Sequence, residues 1–213
     1  MTTAKLPGNV TVEIIEPEHI QSFWLKGRYY ESDMLEYIRA HYHGGTFIDC
    51  GACIGNHALF FARFCAQQVI AVEPVQRNLD HMRSNIHLSG LDSKIDIVAA
   101  AVGFEPGRGS MLLAGNNHGN YQLVSGTEVE VTTIDTIAAL AQYSIGLIKL
   151  DIEGGELQAL QGATKTLKRF KPGLFVELAQ KSALDMADHF LTQFGYKRIA
   201  RFNSTPTYYY GAF

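Results

Sequence analysis

Residues 46–56, TFIDCGACIGN, constrain the fold of this chain more than any other stretch. A short apolar run ends in Asp49 and is followed at once by Gly51, Ala52 and Gly55. The amphipathic segment HALFFARFCA comes next. The pattern predicts a strand, a tight glycine turn and a helix opening at Asn56 and His57, a geometry that aims backbone N–H groups at a small ligand. A dinucleotide turn takes G-x-G-x-x-G so that its middle glycine admits a pyrophosphate. Here the middle position is Cys53, and Asp49 stands just before the turn. A carboxylate there repels a diphosphate and suits a ligand with an ammonium and a sulfonium. S-adenosylmethionine is such a ligand, and methyl transfer is the first expectation.

Beyond the turn, strand and helix patterns alternate. TFIDC, QVIAVEP, KIDIVAAAVG, GLIKLDIEG and GLFVEL read as strands. ESDMLEYIRAHYHGG, NHALFFARFCA, QRNLDHMRSNIHLSG, GELQALQGATKTLKRF and SALDMADHFLTQFG read as helices. Strands that are apolar almost throughout, separated by helices, predict an α/β fold with a parallel sheet covered on both faces. Three regions stand outside the alternation. In the first 30 residues, VTVEII and SFWLKG read as short strands. Residues 104–134 carry glycine turns and short β-like runs and read as a β-insertion. The tail YKRIARFNSTPTYYYGAF reads as two strands joined at Ser-Thr-Pro. At 213 residues the expectation is a single domain, 1–213, with residues 1–45 as an N-terminal cap.

Two further motifs carry chemistry. Glu73 ends VIAVEP, about 20 residues beyond the glycine turn, where an acidic side chain holds a ribose diol. Pro74 stops the strand there, so the side chain faces the crevice. In LIKLDIEGGE, alternation along a strand puts Lys149, Asp151 and Glu153 on one face. Charges at the C-terminal end of an apolar strand are costly unless paired or used, and that end is where α/β sheets place ligands. Read structurally, Lys149 and Asp151 form an ion pair and Glu153 caps the next helix.

Together these residues resemble the FkbM family of S-adenosylmethionine-dependent methyltransferases. The likeness runs through FIDCGACIGNHALFFA, VIAVEPVQRNLDHMRSNI, VAAAVG, VTTIDTI, LIKLDIEGGELQALQGA and KPGLFVEL, over roughly residues 30–180. It implies the class I methyltransferase fold, a Rossmann-like, doubly wound, mostly parallel seven-stranded sheet with an antiparallel edge strand. It also implies methyl transfer to a hydroxyl oxygen of a sugar or secondary metabolite. Carried over by position, Asp49, Gly51, Ala52 and Gly55 line the methionine end of the cofactor, and Asn56 and His57 open the helix facing it. Glu73 holds the ribose beside Pro74, and Ala100, Ala101 and Val102, ending the third strand, flank the adenine. Asp151 and Glu153 fall where methyl donor and acceptor meet. One departure is Cys53, where family members commonly carry Asn.

A hydroxyl attacks better when a base takes its proton, and Asp151, Glu153 and His118 are the candidates. His118 lies in the polar GNNHGNY stretch of the insertion. No metal is expected, because spacing supplies no third ligand beside Asp151 and Glu153. Cys50 and Cys53 read as small residues packed under the cofactor. Tyr29, Tyr30 and Glu31 precede a helix on the side where a cofactor needs a roof, a role the sequence leaves open. Two other readings remain at this point. One is a nicotinamide-dependent oxidoreductase, disfavoured by Cys53 and Asp49, and the other is a binding module that has lost its chemistry. The net charge of −3 argues against nucleic acid as a partner and for a small-molecule or glycan-type acceptor. No apolar run reaches the ~20 residues of a membrane span. The N-terminus lacks a signal-peptide core, and three cysteines cannot pair fully, so a reducing cytoplasm is expected.

Overall fold

A computed structural model describes residues 2–15, 19–113 and 121–213 of the chain. The chain opens with a hairpin, β1 (Thr2–Leu6) and β2 (Val10–Ile14), then two helices, α1 (His19–Trp24) and α2 (Ser32–His41). Alternation follows in β3 (Thr46–Cys50), α3 (Asn56–Phe64), β4 (Gln68–Val72), α4 (Gln76–Leu88) and β5 (Ile95–Val98). A small sheet intervenes, formed by β6 (Ala101–Val102), β7 (Gly107–Leu113) and β8 (Tyr121–Thr132). The chain then runs through α5 (Ile134–Ile137), β9 (Ile145–Leu150), α6 (Glu156–Gln161), α7 (Thr164–Phe170) and β10 (Gly173–Glu177). It closes with α8 (Lys181–Thr192), β11 (Tyr196–Phe202) and β12 (Thr207–Ala212).

The main sheet has seven strands in the order β11-β12-β10-β9-β3-β4-β5. Every residue of β3 and β4 is buried, as central parallel strands covered on both faces require. Two apolar clusters flank the sheet. One joins the N-terminal hairpin, α2, α3 and α4 through Trp24, Phe47, Phe61 and Met82. The other joins α5 to α8 through Ile48, Ile148, Leu167 and Tyr210. The expected doubly wound α/β class is therefore what the chain adopts. Its antiparallel strand is β12, which pairs antiparallel with both β10 and β11 and so lies one place in from the edge.

Three local expectations are corrected. SFWLKG is not a strand; its first half ends α1, where Gln21 and Trp24 are buried at helical i, i+3 spacing, and its second half is a turn. The strand read in KIDIVAAAVG serves two sheets. β5 ends at Val98, and after a bend at residues 99–100 Ala101 and Val102 pair with β8 instead. The single helix read in residues 155–170 is broken at Gly162, whose missing Cβ would lie 2.4 Å from the Gly103 carbonyl oxygen. The new helix start is capped from a distance, since Asp135 accepts from the N–H groups of Lys165 (3.1 Å) and Thr166 (2.8 Å). A cap supplied from 30 residues away is invisible to local periodicity.

Candidate active site

Strand order reverses where β3 meets β9, so their C-terminal ends part and open a crevice. A cavity of about 530 Å³ occupies it, within the ~300–1,000 Å³ usual for small-molecule sites. The glycine turn forms part of its wall. Gly51 has φ +79°, and a Cβ on it would stand 1.7 Å from the Asp151 carbonyl oxygen, so the β3 and β9 ends meet only because this residue lacks a side chain. Cys53 is also left-handed, with φ 49°. Asparagine tolerates that region better than cysteine, so the turn holds Cys53 at a small conformational cost.

The turn is tied to β4 through Glu73. Its Oε2 accepts from the Cys53 N–H at 3.0 Å, and its Oε1 accepts from the Val75 N–H at 2.9 Å and the Asn78 amide at 3.2 Å. Burial raises its carboxyl pKa, and the three donors oppose that rise. Asn56 forms a second tie. Its Oδ1 accepts from the Trp24 indole and from the Tyr30 N–H, both at 3.0 Å, and its amide donates to the Tyr30 carbonyl at 3.1 Å. Next to it, His57 Nε2 lies 3.0 Å from Glu31 Oε2, with both side chains almost fully buried. These atoms are in close contact without hydrogen-bond alignment. Glu31 itself sits at φ 58° before α2. The segment 24–31 is thereby locked over the turn, and the Tyr30 side chain lines the cavity.

The opposite end is acidic. Lys149, 1% exposed, places Nζ 3.2 Å from Asp151 Oδ2 and 3.5 Å from Asp49 Oδ1. Burial alone would lower the pKa of this ammonium, but Asp151 and Asp49 outweigh it and raise it. Asp49 is fully buried, and neither carboxylate oxygen has a hydrogen-bond partner. Past β9 the chain turns through Glu153, left-handed at φ 59°. Glu156, not Glu153, secures this loop by accepting from the N–H groups of Ile152 (3.1 Å) and Gly154 (3.0 Å). Burial, reinforced by Asp151 and Glu156, pushes the Glu153 carboxyl up to about 7. Glu177 ends β10 on the adjoining strand, and burial followed by Asp151 pushes it up to about 8.

Gly51, Ala52, Asn56, His57, Glu73, Pro74, Ala100, Ala101, Val102, Asp151 and Glu153 all line this one cavity. Asp49 and Gly55 do not; Asp49 lies beneath, against Lys149, and Gly55 starts α3. His118 lies outside the described residues. Glu177 was not singled out by sequence; it shares with Glu73 a carboxyl group at the C-terminal end of an apolar strand, but not the spacing from the glycine turn that marked Glu73. Met111, Tyr121 and Leu123 of the β7–β8 hairpin also line the cavity, and alternation within the insertion is the trace they leave in sequence. Cys50, Cys53 and Cys65 are free thiols. Among the described residues no group of three His, Cys, Asp or Glu is placed to hold a metal, and no helix is long and apolar enough to cross a membrane.

Sheet order, glycine turn and a cavity at the switch point together define the class I methyltransferase fold. Residues 49–198 match the methyltransferase FkbM domain, and the chain belongs to that family. Its fold is similar to the crystal structure of methyltransferase FkbM from Methylobacillus flagellatus, with 21% identity and a TM-score of 0.60 over 79% of this chain. The match takes in 43% of that protein, so this chain spans less than half its length. An rRNA methylase from Streptococcus thermophilus shares the fold at 12% identity and TM-score 0.51, covering 84% of this chain and 92% of that one. So does SMU.1697c, a putative methyltransferase from Streptococcus mutans in complex with SAH, at 12% identity and TM-score 0.52, covering 83% and 93%. No curated protein matches in sequence.

Proposed function

We propose that this chain transfers a methyl group from S-adenosylmethionine to a hydroxyl oxygen of a small-molecule or glycan-type acceptor. Family membership supports methyl transfer, and the fold neighbour that binds SAH supports the choice of cofactor. The observation that carries the reading is the placement of carboxyl groups at both ends of the cavity. Glu73 stands at one end and Asp151, Glu153 and Glu177 at the other, with the buried Lys149 the cation beside them. The site therefore suits a ligand that is cationic at one end and carries a diol near the other.

The residues present fit that cofactor. Glu73 spends three hydrogen bonds on the protein, and a carboxylate offers about four acceptor positions, so one remains for a ribose hydroxyl. Ala100, Ala101 and Val102 offer an apolar wall for adenine. Gly51 and Ala52 border the methionine moiety, with Asp49 acting from below through Lys149. The cofactor supplies an electrophilic methyl on a sulfonium. The chain's part is to align the acceptor in line with it, to exclude water and to receive a proton, with Asp151, Glu153 and His118 as the candidates read from sequence. The carboxylates at the acceptor end would repel phosphates, which favours a neutral hydroxyl compound over nucleic acid.

Calorimetric titration with S-adenosylmethionine, S-adenosylhomocysteine and NAD tests the cofactor. Both sulfur ligands are expected to bind and NAD not to, with Glu73→Ala weakening binding by about tenfold or more. Tight NAD binding, or no binding of either sulfur ligand to folded protein, would reject the reading.

A further inference from the structure

We propose that Glu177 is the group that receives the acceptor's proton, and that it stands protonated until the cofactor's sulfonium enters the site. The inference rests on the methyl-transfer reading above and assigns its base. Three geometric facts lead to it. In the parallel pairing of β9 with β10, Val176 lies opposite Leu150. Glu177 therefore emerges beside Asp151 at the C-terminal edge, and it lines the cavity there. Asp151 is already committed to Lys149, which Asp49 also engages, so the site's one buried ammonium is shared between two carboxylates. The Glu177 side chain, by contrast, has no hydrogen bond or ion pair among the described residues, and Thr207 opposite it on β12 brings no charge.

The groups whose charge reaches Glu177 are Lys149 on β9, Asp151 just past its end, Glu153 on the following loop, and Glu31 near the roof. The Tyr30 phenol shares that field, and burial, Glu31, Asp151 and Glu177 all keep it protonated. Three of the four charged groups acting on Glu177 are therefore acidic, and together with burial they hold its carboxyl neutral near pH 7. A cation arriving at this end reverses the balance and expels the proton. The carboxylate so formed is ready for the transfer step. The acceptor oxygen forms its bond to the methyl carbon as the carbon–sulfur bond breaks. The bonding pair stays on sulfur, which becomes a neutral thioether, and the hydroxyl proton passes to Glu177. Loading the cofactor thus creates the base, and transferring the methyl removes the charge that created it.

Proton release can be measured without knowing the acceptor, by calorimetry at pH 7.5 in two buffers of different ionisation enthalpy. Wild-type protein should release about half a proton or more on binding S-adenosylmethionine and far less on binding S-adenosylhomocysteine, which lacks the charge. Glu177→Gln should abolish the release while still binding S-adenosylhomocysteine; Glu153→Gln should keep most of it. Release that persists in Glu177→Gln, or none in wild-type protein that binds both ligands, would overturn the assignment and leave the cofactor reading intact. Failure of either ligand to bind wild-type protein would overturn both. If Glu177→Gln proves unable to bind, carbon-13 NMR of the wild-type glutamate carboxyls reads the same event. The Glu177 midpoint should lie near neutrality and fall when S-adenosylmethionine is added; an unmoved midpoint would reject the proposal.

Discussion

The two ends of the cavity are built on opposite principles. At the glycine turn the key polar side chains are spoken for: Glu73 takes three protein hydrogen bonds and Asn56 makes three more. At the far end Asp151 shares one ammonium with Asp49, while Glu153 and Glu177 face the cavity with raised pKa values. A satisfied network holds one geometry and one charge state, which is what recognition needs. An under-compensated cluster can change its charge when a ligand arrives, which is what proton transfer needs. The contrast separates holding a ligand from acting on it within a single crevice.

The largest test of that contrast removes Lys149. Lys149→Met leaves the buried Asp49 and the partly exposed Asp151 without their counter-charge, and losing one partner of a buried pair typically costs about 3–5 kcal/mol. Urea unfolding at pH 7 should show that loss, and adding Asp49→Asn should recover a large part of it. A loss below about 1 kcal/mol would mean that Lys149 contributes little to holding this end together, and the contrast with the turn would weaken.

A smaller effect is expected at the satisfied end. Asn56→Ala orphans the buried Trp24 indole N–H, at about 1–3 kcal/mol, and the part-buried Tyr30 backbone N–H, which water can partly satisfy. The segment carrying Tyr30 and Glu31 should loosen, and hydrogen exchange at residues 24–31 should quicken more than exchange in β3. Equal quickening in both would show that Asn56 supports the whole turn rather than its roof.

These two ends were unequally legible in sequence. The turn was readable because its requirements are local. A strand, glycines where φ turns positive and a helix start follow one another within 11 residues, and Glu73, the proposed ribose anchor, comes directly after the next strand. The acidic end is assembled from β3, β9 and β10, whose adjacency depends on the crossover after β5. Lys149 and Asp151 could be paired by alternation along one strand, but the contact of Lys149 with Asp49 is a product of sheet order. Glu177 went unmarked for the same reason, since nothing in GLFVEL says that β10 lies beside β9. The misread SFWLKG and the broken helix at Gly162 repeat the lesson. Asn56 holds Trp24 from 32 residues away, and Asp135 caps α7 across a gap of 30.

The smallest expected effect is the pH dependence of stability, and it bears directly on the far end. Glu177 and Glu153 have folded pKa values of about 8 and about 7, above the 4.5 of an ordinary glutamate. The folded protein therefore binds more protons than the unfolded chain between those limits, and stability falls as pH rises through that window. Both groups are partly exposed, so solvent screening reduces the effect to about 1–2 kcal/mol in total. Urea midpoints measured from pH 5 to pH 8.5 should decline, and Glu177→Gln should flatten the upper half of the decline by removing the group that titrates there. A flat profile in the wild-type protein would mean that the acidic end is as fully compensated as the turn, and the division of labour between them would fail.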